Sequence, residues 1–306
     1  MIDVIIPTYK PGGEFVKLIE KLKAQSSKVN KVIIVNTEQK YFDSFAMEAG
    51  ELLENDFIEV HHIEKSEFDH GATRNRGVGF SDAEIFVMMT QDAIPVNEFF
   101  IENLIKPLNI KGVAASYARQ VANPKSSYIE RITREFNYPD ISGIKSKKDL
   151  DRLGIKTYFC SNVSCAYSRA VFDKLGGFIN HTIFNEDMIY AAAMINNGYK
   201  IAYAAEAEVY HSHDYTGLQQ FKRNVDIGVS QADNPEIFNV LSSEKEGKRM
   251  IKLVITRLFK EKQGLKILPY IYLNACKYMG YIIGKNYRKL PGEFLRLCSS
   301  NPEYFS

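Results

Sequence analysis

The stretch that decides the fold runs from residue 3 to residue 37 and reads DVIIPTYKPGGEFVKLIEKLKAQSSKVNKVIIVNT. Val4–Ile6 and Val32–Val35 are short apolar runs, which predict two buried strands. Between them, residues 15–23 carry apolar side chains at helical spacing. A strand, a helix and a second strand in this order indicate a parallel pair joined by a crossover helix.

The same alternation continues through the first half of the chain. Apolar runs at residues 58–63, at residues 85–89 and from residue 113 onward predict three more strands. Continuous apolar strands separated by helices are typical of a parallel sheet that is covered on both faces. We therefore predict an α/β domain with a doubly wound, mostly parallel central sheet.

Polar residues follow three of these strands, at the sheet edge where such folds bind ligands. The candidate contacts are Pro7, Thr8 and Tyr9 after the first strand, Asn36, Thr37 and Glu38 after the second, and Thr90, Gln91 and Asp92 after the fourth. An ordinary transition from strand to loop would also place polar residues there. The pattern alone therefore leaves a binding role and a structural role open.

The bulk composition limits the class of protein. With 306 residues and 45% hydrophobic residues, the chain is long enough for one α/β domain and an extension. A net charge of +2 gives no reason to expect nucleic-acid binding. The four cysteines form no Cys-x-x-Cys pair, and the N-terminus enters a strand at once without a secretory signal. No apolar stretch reaches the roughly 20 residues of a membrane span, so a cytoplasmic protein is expected.

The second half of the chain holds an acidic pair and a histidine pair. Glu186 and Asp187 would open a helix that Gly198 ends at its C′ position. Carboxylates in a first turn complement the helix dipole, so the pair is also expected there without catalysis. His211 and His213 follow an apolar segment, and residues two apart on a strand face the same side. The two imidazoles are therefore candidate ligands of one metal ion.

Residues 242–306 differ in character from residues 1–241 and predict a separate, helical C-terminal extension. Between residues 244 and 290, twelve Lys and Arg residues stand against three glutamates, and tyrosines lie among them. Such a segment suits an anionic membrane surface, with tyrosine at the interface and lysine reaching the headgroups. It equally suits a pair of helices packed on the catalytic domain or on a second subunit, and the sequence leaves both open.

The order of these motifs over about residues 1–230 resembles family 2 glycosyltransferases, which have the GT-A fold. Within that family, residues 67–75 (EFDHGATRN) and 90–95 (TQDAIP) look most like bacterial rhamnosyltransferases. The C-terminal extension lies outside the resemblance.

The resemblance assigns roles to the candidate residues. Pro7, Thr8, Tyr9, Asn36, Thr37 and Glu38 would contact the base and ribose of a nucleotide sugar, and Arg74 and Gln91 would lie beside its diphosphate and ribose. Thr90-Gln91-Asp92 stands in place of the family's Asp-x-Asp motif, so Asp92 alone would bind Mg²⁺ or Mn²⁺ there, with His211 or His213 as a further ligand. Asp187 would be the general base, and Glu186 would orient the base or the acceptor.

These roles imply an inverting glycosyltransferase that moves a sugar onto a hydroxyl of a cell-envelope polysaccharide or a lipid-linked saccharide. By resemblance the donor would be dTDP-L-rhamnose. Peripheral contact with the inner face of the plasma membrane and a homo-oligomer are further expectations. Two other functions stay open: a metal-dependent hydrolase built around His211, His213 and Asp214, and a nucleotide-sugar binding module without turnover.

Overall fold

The computed structural model describes residues 1–50, 53, 56–239 and 244–305. The strands are β1 Ile2–Tyr9, β2 Lys31–Thr37, β3 Ile58–Ile63, β4 Ile85–Met89, β5 Ile94–Pro95, β6 Val113–Val121, β7 Gly143–Lys145, β8 Ser164–Ser168 and β9 Lys200–Tyr210. The α-helices are α1 Gly13–Lys23, α2 Gln39–Ala49, α3 His70–Gly79, α4 Phe100–Ile105, α5 Tyr128–Asn137, α6 Leu150–Leu153, α7 Arg169–Leu175, α8 Glu186–Asn196, α9 Gly217–Asp233, α10 Pro235–Phe238, α11 Glu244–Lys260, α12 Ile267–Lys285 and α13 Gly292–Cys298.

The five predicted strands are confirmed: β1 to β4 form one half of the sheet, and β6 lies in the other half. The strand order is β3-β2-β1-β4-β8-β6-β9-β5, with β7 also paired to β9. Strands β3, β2, β1 and β4 are parallel, as the alternating pattern predicted. The other half is mixed, because β8 runs antiparallel to both β4 and β6, while β9 runs parallel to β6.

The core of the parallel half explains why its strands read as unbroken apolar runs. Val4, Ile5 and Ile6 are completely buried, so β1 is covered on both faces. Helix α1 covers one of those faces with Phe15, Leu18, Ile19 and Leu22, which recur at helical spacing. Burial of each such side chain contributes about 1.5–3 kcal/mol, so this face stabilises the strand–helix–strand unit.

The chain divides into two compact units, which are described separately. The first consists of residues 1–123, 138–181 and 186–212 and contains the whole sheet. The second consists of residues 124–137, 182–185 and 213–306 and is helical. The predicted division between residues 241 and 242 lies outside the described residues and stays a prediction. Among the described helices, none combines the length and apolar character that crossing a bilayer requires.

Helices α9 and α12 pack closely in the second unit because glycines lie where they cross. A Cβ atom at Gly280 would overlap the carbonyl oxygen of Phe221, and one at Gly284 would overlap that of Val225. On α9, a Cβ atom at Gly228 would lie 2.6 Å from the carbonyl oxygen of Tyr281. The two backbones therefore approach each other more closely than any larger residue would allow.

We expect Gly284→Ala to lower the free energy of unfolding by about 1–3 kcal/mol, the usual cost of adding a methyl group to a filled contact. Gly247→Ala is the matched control. Gly247 lies in α11 with open space around its Cα atom, so alanine should raise stability there by about 0.5–1 kcal/mol through helix propensity. Urea unfolding followed by circular dichroism measures both, and equal effects of the two substitutions would contradict the close crossing.

Candidate active site

Helix α8 presents the two acidic residues at its first turn and ends as the sequence predicted. Gly198 has φ of 85°, and its N–H donates to Ile195 O at 3.1 Å. The N–H of Tyr199 donates to Met194 O at 3.0 Å, which completes a Schellman motif at the C-terminus. The helix is thereby fixed at one end, and Glu186 and Asp187 lie at the other.

Glu186 is a buried carboxylate that keeps its charge. Its Oε1 atom lies 3.3 Å from Nε of Arg74 and accepts a hydrogen bond from Nδ2 of Asn162 at 3.0 Å. Burial pushes the pKa of Glu186 upward, but the positive charge of Arg74, a smaller effect of His70 and the Asn162 amide outweigh it. The pKa of Glu186 is therefore held below its usual value.

Asp187, the next residue, has the opposite shift. Burial and then the negative charge of Glu186 raise the pKa of Asp187 to about 7. Its oxygens accept hydrogen bonds from the backbone N–H groups of Asn162, at 3.1 Å, and Met188, at 2.7 Å, which oppose the rise only in part. Two adjacent carboxyl groups with pKa values pushed apart can divide the roles of fixed charge and proton acceptor.

Asn162 donates a hydrogen bond to each of the two carboxylates, and the sequence did not predict this role. Its side-chain Oδ1 accepts a hydrogen bond from the hydroxyl of Tyr167 at 2.8 Å, which turns Nδ2 toward Glu186. Tyr167 is completely buried, and burial raises the pKa of its hydroxyl well above the usual value, so it remains a donor. Asn162 lies 24 residues before Glu186 in a segment without a recognisable motif, so no sequence signal could have identified it.

Arg74 reaches the carboxylates from α3. Asp69 caps this helix by accepting hydrogen bonds from the N–H groups of Gly71 and Ala72, at 3.0 and 2.7 Å. One turn later, the buried Arg74 donates through Nη1 to His70 O at 2.7 Å while its Nε faces Glu186. The structure thus places Arg74 against the acidic pair, and its predicted contact with a diphosphate stays a prediction.

The loops after β1, β2 and β4 meet at the carboxyl edge of the sheet, as predicted. Gln91 pairs with the backbone of Tyr9, accepting from its N–H at 2.9 Å and donating to its carbonyl oxygen at 3.0 Å. Thr8 Oγ1 donates to Asn36 Oδ1 at 3.1 Å, and both side chains are buried. The amide of Gln91 therefore joins two loops, a role that its predicted contact with the donor did not include.

The other residues that were predicted to contact the nucleotide sugar differ in exposure. Pro7 is half-buried in β1, and Thr37 is buried. Glu38 is half-buried, has φ of 62° and pairs with Lys40 Nζ at 2.8 Å. Tyr9 is 40% exposed, so its aromatic side chain is one on which a flat ligand could stack. Binding by these residues stays a prediction.

Asp92 and His211 form a candidate metal centre. Oδ2 of Asp92 and Nε2 of His211 lie 3.6 Å apart. Nε2 of Gln120 donates to Ser161 Oγ at 3.0 Å, so Oε1 of Gln120 faces Nδ1 of His211 at 2.9 Å. This contact places the ring proton on Nδ1 and the lone pair on Nε2, which is the form of histidine that binds a metal.

A second observation supports a cation at this edge. Thr90 replaces the first acid of the Asp-x-Asp pattern, and its Oγ1 atom is buried with no hydrogen-bond partner among the described residues. One carboxylate, one neutral imidazole and a hydroxyl oxygen suit Mn²⁺ or Mg²⁺. His213 begins the second unit, two residues beyond His211, and its predicted role as a ligand stays a prediction.

Comparison with known proteins identifies relatives of full length. The chain is 37% identical over 308 aligned positions to the O-antigen chain rhamnosyltransferase RfbN of Salmonella typhimurium, covering all of this chain and 96% of that protein. It is 38% identical over 307 positions to the O-antigen chain rhamnosyltransferase WbaN of Salmonella anatum, covering 99% and 95% of the two chains. The sequence family described as glycosyl transferase family 2 matches residues 3–176.

Solved structures agree with the predicted fold. A mannosyltransferase of Pyrobaculum calidifontis, PcManGT, solved with GDP-Man and Mn²⁺, superimposes with a TM-score of 0.58 at 13% identity and covers 94% of this chain and 86% of its own. TarS residues 1–349 of S. aureus, solved with UDP-GlcNAc, give a TM-score of 0.55 at 14% identity and cover 94% and 91%. The predicted GT-A fold is confirmed, and the family match selects the transferase among the three functions that the sequence left open. The chain belongs to glycosyl transferase family 2 and is a glycosyltransferase.

Proposed function

We propose that this glycosyltransferase is an inverting rhamnosyltransferase that uses dTDP-L-rhamnose. Its acceptor would be a hydroxyl of a cell-envelope polysaccharide or of a lipid-linked saccharide, and a lipid-linked acceptor would bring residues 242–306 into peripheral contact with a membrane. The two relatives named as O-antigen chain rhamnosyltransferases support the sugar and the class of product. The carboxylate pair Glu186–Asp187 carries the chemical assignment.

Asp187 fits the role of general base because its pKa of about 7 lies near neutral pH. As the acceptor oxygen attacks C1 of the sugar, Asp187 takes the hydroxyl proton. The bond from C1 to the diphosphate oxygen breaks, and its electron pair leaves with the nucleoside diphosphate. One displacement from the opposite face inverts C1. Glu186 stays ionised, and its charge makes Asp187 a stronger base.

The candidate metal centre would stabilise the negative charge of the leaving group. When bound by Asp92 and His211, Mn²⁺ or Mg²⁺ would supply positive charge beside the departing diphosphate. Gln120 holds the imidazole of His211 in the tautomer that this binding needs. Arg74 would add charge-assisted hydrogen bonds to the same anion, the role that the family resemblance assigns to it.

We expect Asp187→Asn to lower the rate of rhamnosyl transfer by about 10² to 10⁴-fold, the usual contribution of a general base. Donor affinity, measured by isothermal titration calorimetry, should remain within a few-fold of wild type. Asp173→Asn is the matched control, because Asp173 pairs with Arg169 on the exposed side of α7. Wild-type turnover in Asp187→Asn would remove Asp187 from the mechanism.

The pH profile tests the Tyr167–Asn162–Glu186 contacts. Because the base must be deprotonated, kcat/KM should be high above pH 7 and fall as the pH drops through about 7. In Tyr167→Phe, the Asn162 amide is no longer turned toward Glu186, so the carboxylate pair should take up its proton at higher pH. The acid limb of the profile should therefore move to higher pH.

Tyr203→Phe is the control for this profile, because its hydroxyl donates to Pro139 O at 2.6 Å and to neither carboxylate. Its acid limb should stay where the wild-type limb is. NMR titration of the carboxyl carbons in ¹³C-aspartate-labelled protein measures the same change in pKa without an activity assay. An acid limb of Tyr167→Phe that stays in place or moves to lower pH would contradict the orienting role.

Metal binding is tested directly by Mn²⁺ titration followed by electron paramagnetic resonance. We expect Asp92→Asn and His211→Gln each to weaken Mn²⁺ binding by at least about tenfold, because each removes one ligand. His213→Gln shows whether a third ligand contributes. Full transfer activity in excess chelator, together with unchanged Mn²⁺ binding in both ligand variants, would rule the centre out.

A further inference from the structure

Helix α12 has two unlike faces. One face packs on α9 through Gly280 and Gly284. The opposite face carries six large apolar side chains that are 42 to 77% exposed: Leu268, Ile271, Tyr272, Tyr278, Met279 and Ile282. With Ala275 between them, these positions cover an arc of about 120° at 100° per residue, and a length of about 21 Å. We call this surface the α12 stripe.

The charged residues of α12 and of the segments on either side of it are all basic. From residue 262 to residue 292 the chain contains six basic residues and no acidic one. Lys266 precedes the stripe, and Lys285, Arg288 and Lys289 follow it. A contiguous exposed apolar surface marks an interaction site, and an excess of cations along the same segment indicates an anionic partner.

A cleft of about 310 Å³ lies at the C-terminal end of α12. Its lining residues are Ala232, Asn239, Lys285, Asn286, Arg288 and Lys289. Lys285 Nζ donates to Asn239 Oδ1 at 3.0 Å, and Arg288 pairs with Asp233 Oδ1 at 2.7 Å. Three cations against one carboxylate leave an excess of two positive charges, which suits a phosphate group.

We propose that the α12 stripe and this cleft bind the surface of an anionic phospholipid bilayer. The stripe would lie at the boundary between headgroups and acyl chains, and the cleft would take a lipid phosphate. A second copy of the chain fits this face less well, because a two-fold contact would bring two borders of net positive charge together.

The inference deepens the proposed function, because it names the surface through which the enzyme reaches a bilayer that carries a lipid-linked acceptor. It does not depend on the identity of the sugar or on the role of Asp187. Binding to vesicles and transfer to a soluble saccharide acceptor can therefore be measured separately, and each can fail without the other.

The test is flotation of the full chain with vesicles of phosphatidylcholine alone and with vesicles that also contain phosphatidylglycerol. The wild-type protein should float with the anionic vesicles, remain behind with the neutral ones, and dissociate as salt increases. Replacing Lys285, Arg288 and Lys289 by Gln should weaken anionic-vesicle binding by about 100-fold, since each such charge contributes about fivefold. Leu268→Ser with Tyr278→Ser and Met279→Ser should weaken it by at least about tenfold.

Matched controls come from exposed residues of the first unit. Met47→Ser with Ile110→Ser and Ile141→Ser removes exposed apolar side chains elsewhere, and Lys17→Gln with Lys147→Gln and Lys148→Gln removes three exposed charges. Both control variants should float like the wild type. All variants should keep wild-type transfer to a soluble acceptor.

Three results would overturn the inference: no flotation of the wild type with anionic vesicles, equal flotation with neutral ones, or no loss of binding in the stripe and cleft variants. Sedimentation velocity adds a fourth. A wild-type dimer that the stripe substitutions convert to a monomer would assign this face to a second copy of the chain.

Discussion

The contact between Asn162 and the carboxylates of Glu186 and Asp187 is the interaction on which the candidate active site depends. Glu186 and Asp187 are neighbours in one helical turn, and in water they would titrate almost together. The Arg74 guanidinium and the Asn162 amide face Glu186. Burial and the negative charge of Glu186 raise the pKa of Asp187. Environment alone thus separates a permanent anion from a group that can accept a proton near neutral pH.

The sheet makes this contact possible by bringing distant segments to one edge. Asn162 lies just before β8, Arg74 lies in α3 after β3, and the acids open α8. Strand β8 inserts antiparallel between β4 and β6, so the turn before it lies at the same edge as the loops after the parallel strands. A strictly parallel sheet would place the start of that strand at the opposite edge.

The candidate metal centre lies at the same edge, and other contacts hold it in place. Strands β6 and β9 are parallel neighbours, which brings Gln120 beside the end of β9 and His211. The hydrogen bond that Gln120 donates to Ser161 fixes the orientation of the Gln120 amide, and the amide fixes the imidazole tautomer. With Asp92 as the one acid in the triplet after β4, the orientation of His211 matters more than it would in a site with two carboxylates.

The sequence by itself determined the local structure and the chemical candidates. Unbroken apolar runs required strands buried on both faces, the spacing of Phe15 to Leu22 required an amphipathic helix, and Gly198 ended α8 where a positive φ was needed. Motif order and the family resemblance predicted roles for Asp187, Asp92, His211 and His213, because those roles need particular side chains at particular strand and helix ends.

Only the tertiary structure decided which side chains control those candidates. Asn162, Tyr167 and Gln120 are uncharged and carry no spacing signal. The contacts of Asn162 with the acidic pair and of Gln120 with His211 span 24 to 91 residues, and Tyr167 acts through Asn162. The mixed strand directions in the other half of the sheet could not be predicted either, because apolar periodicity records burial and not strand direction. The pKa of Asp187 could not be read from the chain either, since it is set by the burial and the neighbouring charge that folding creates.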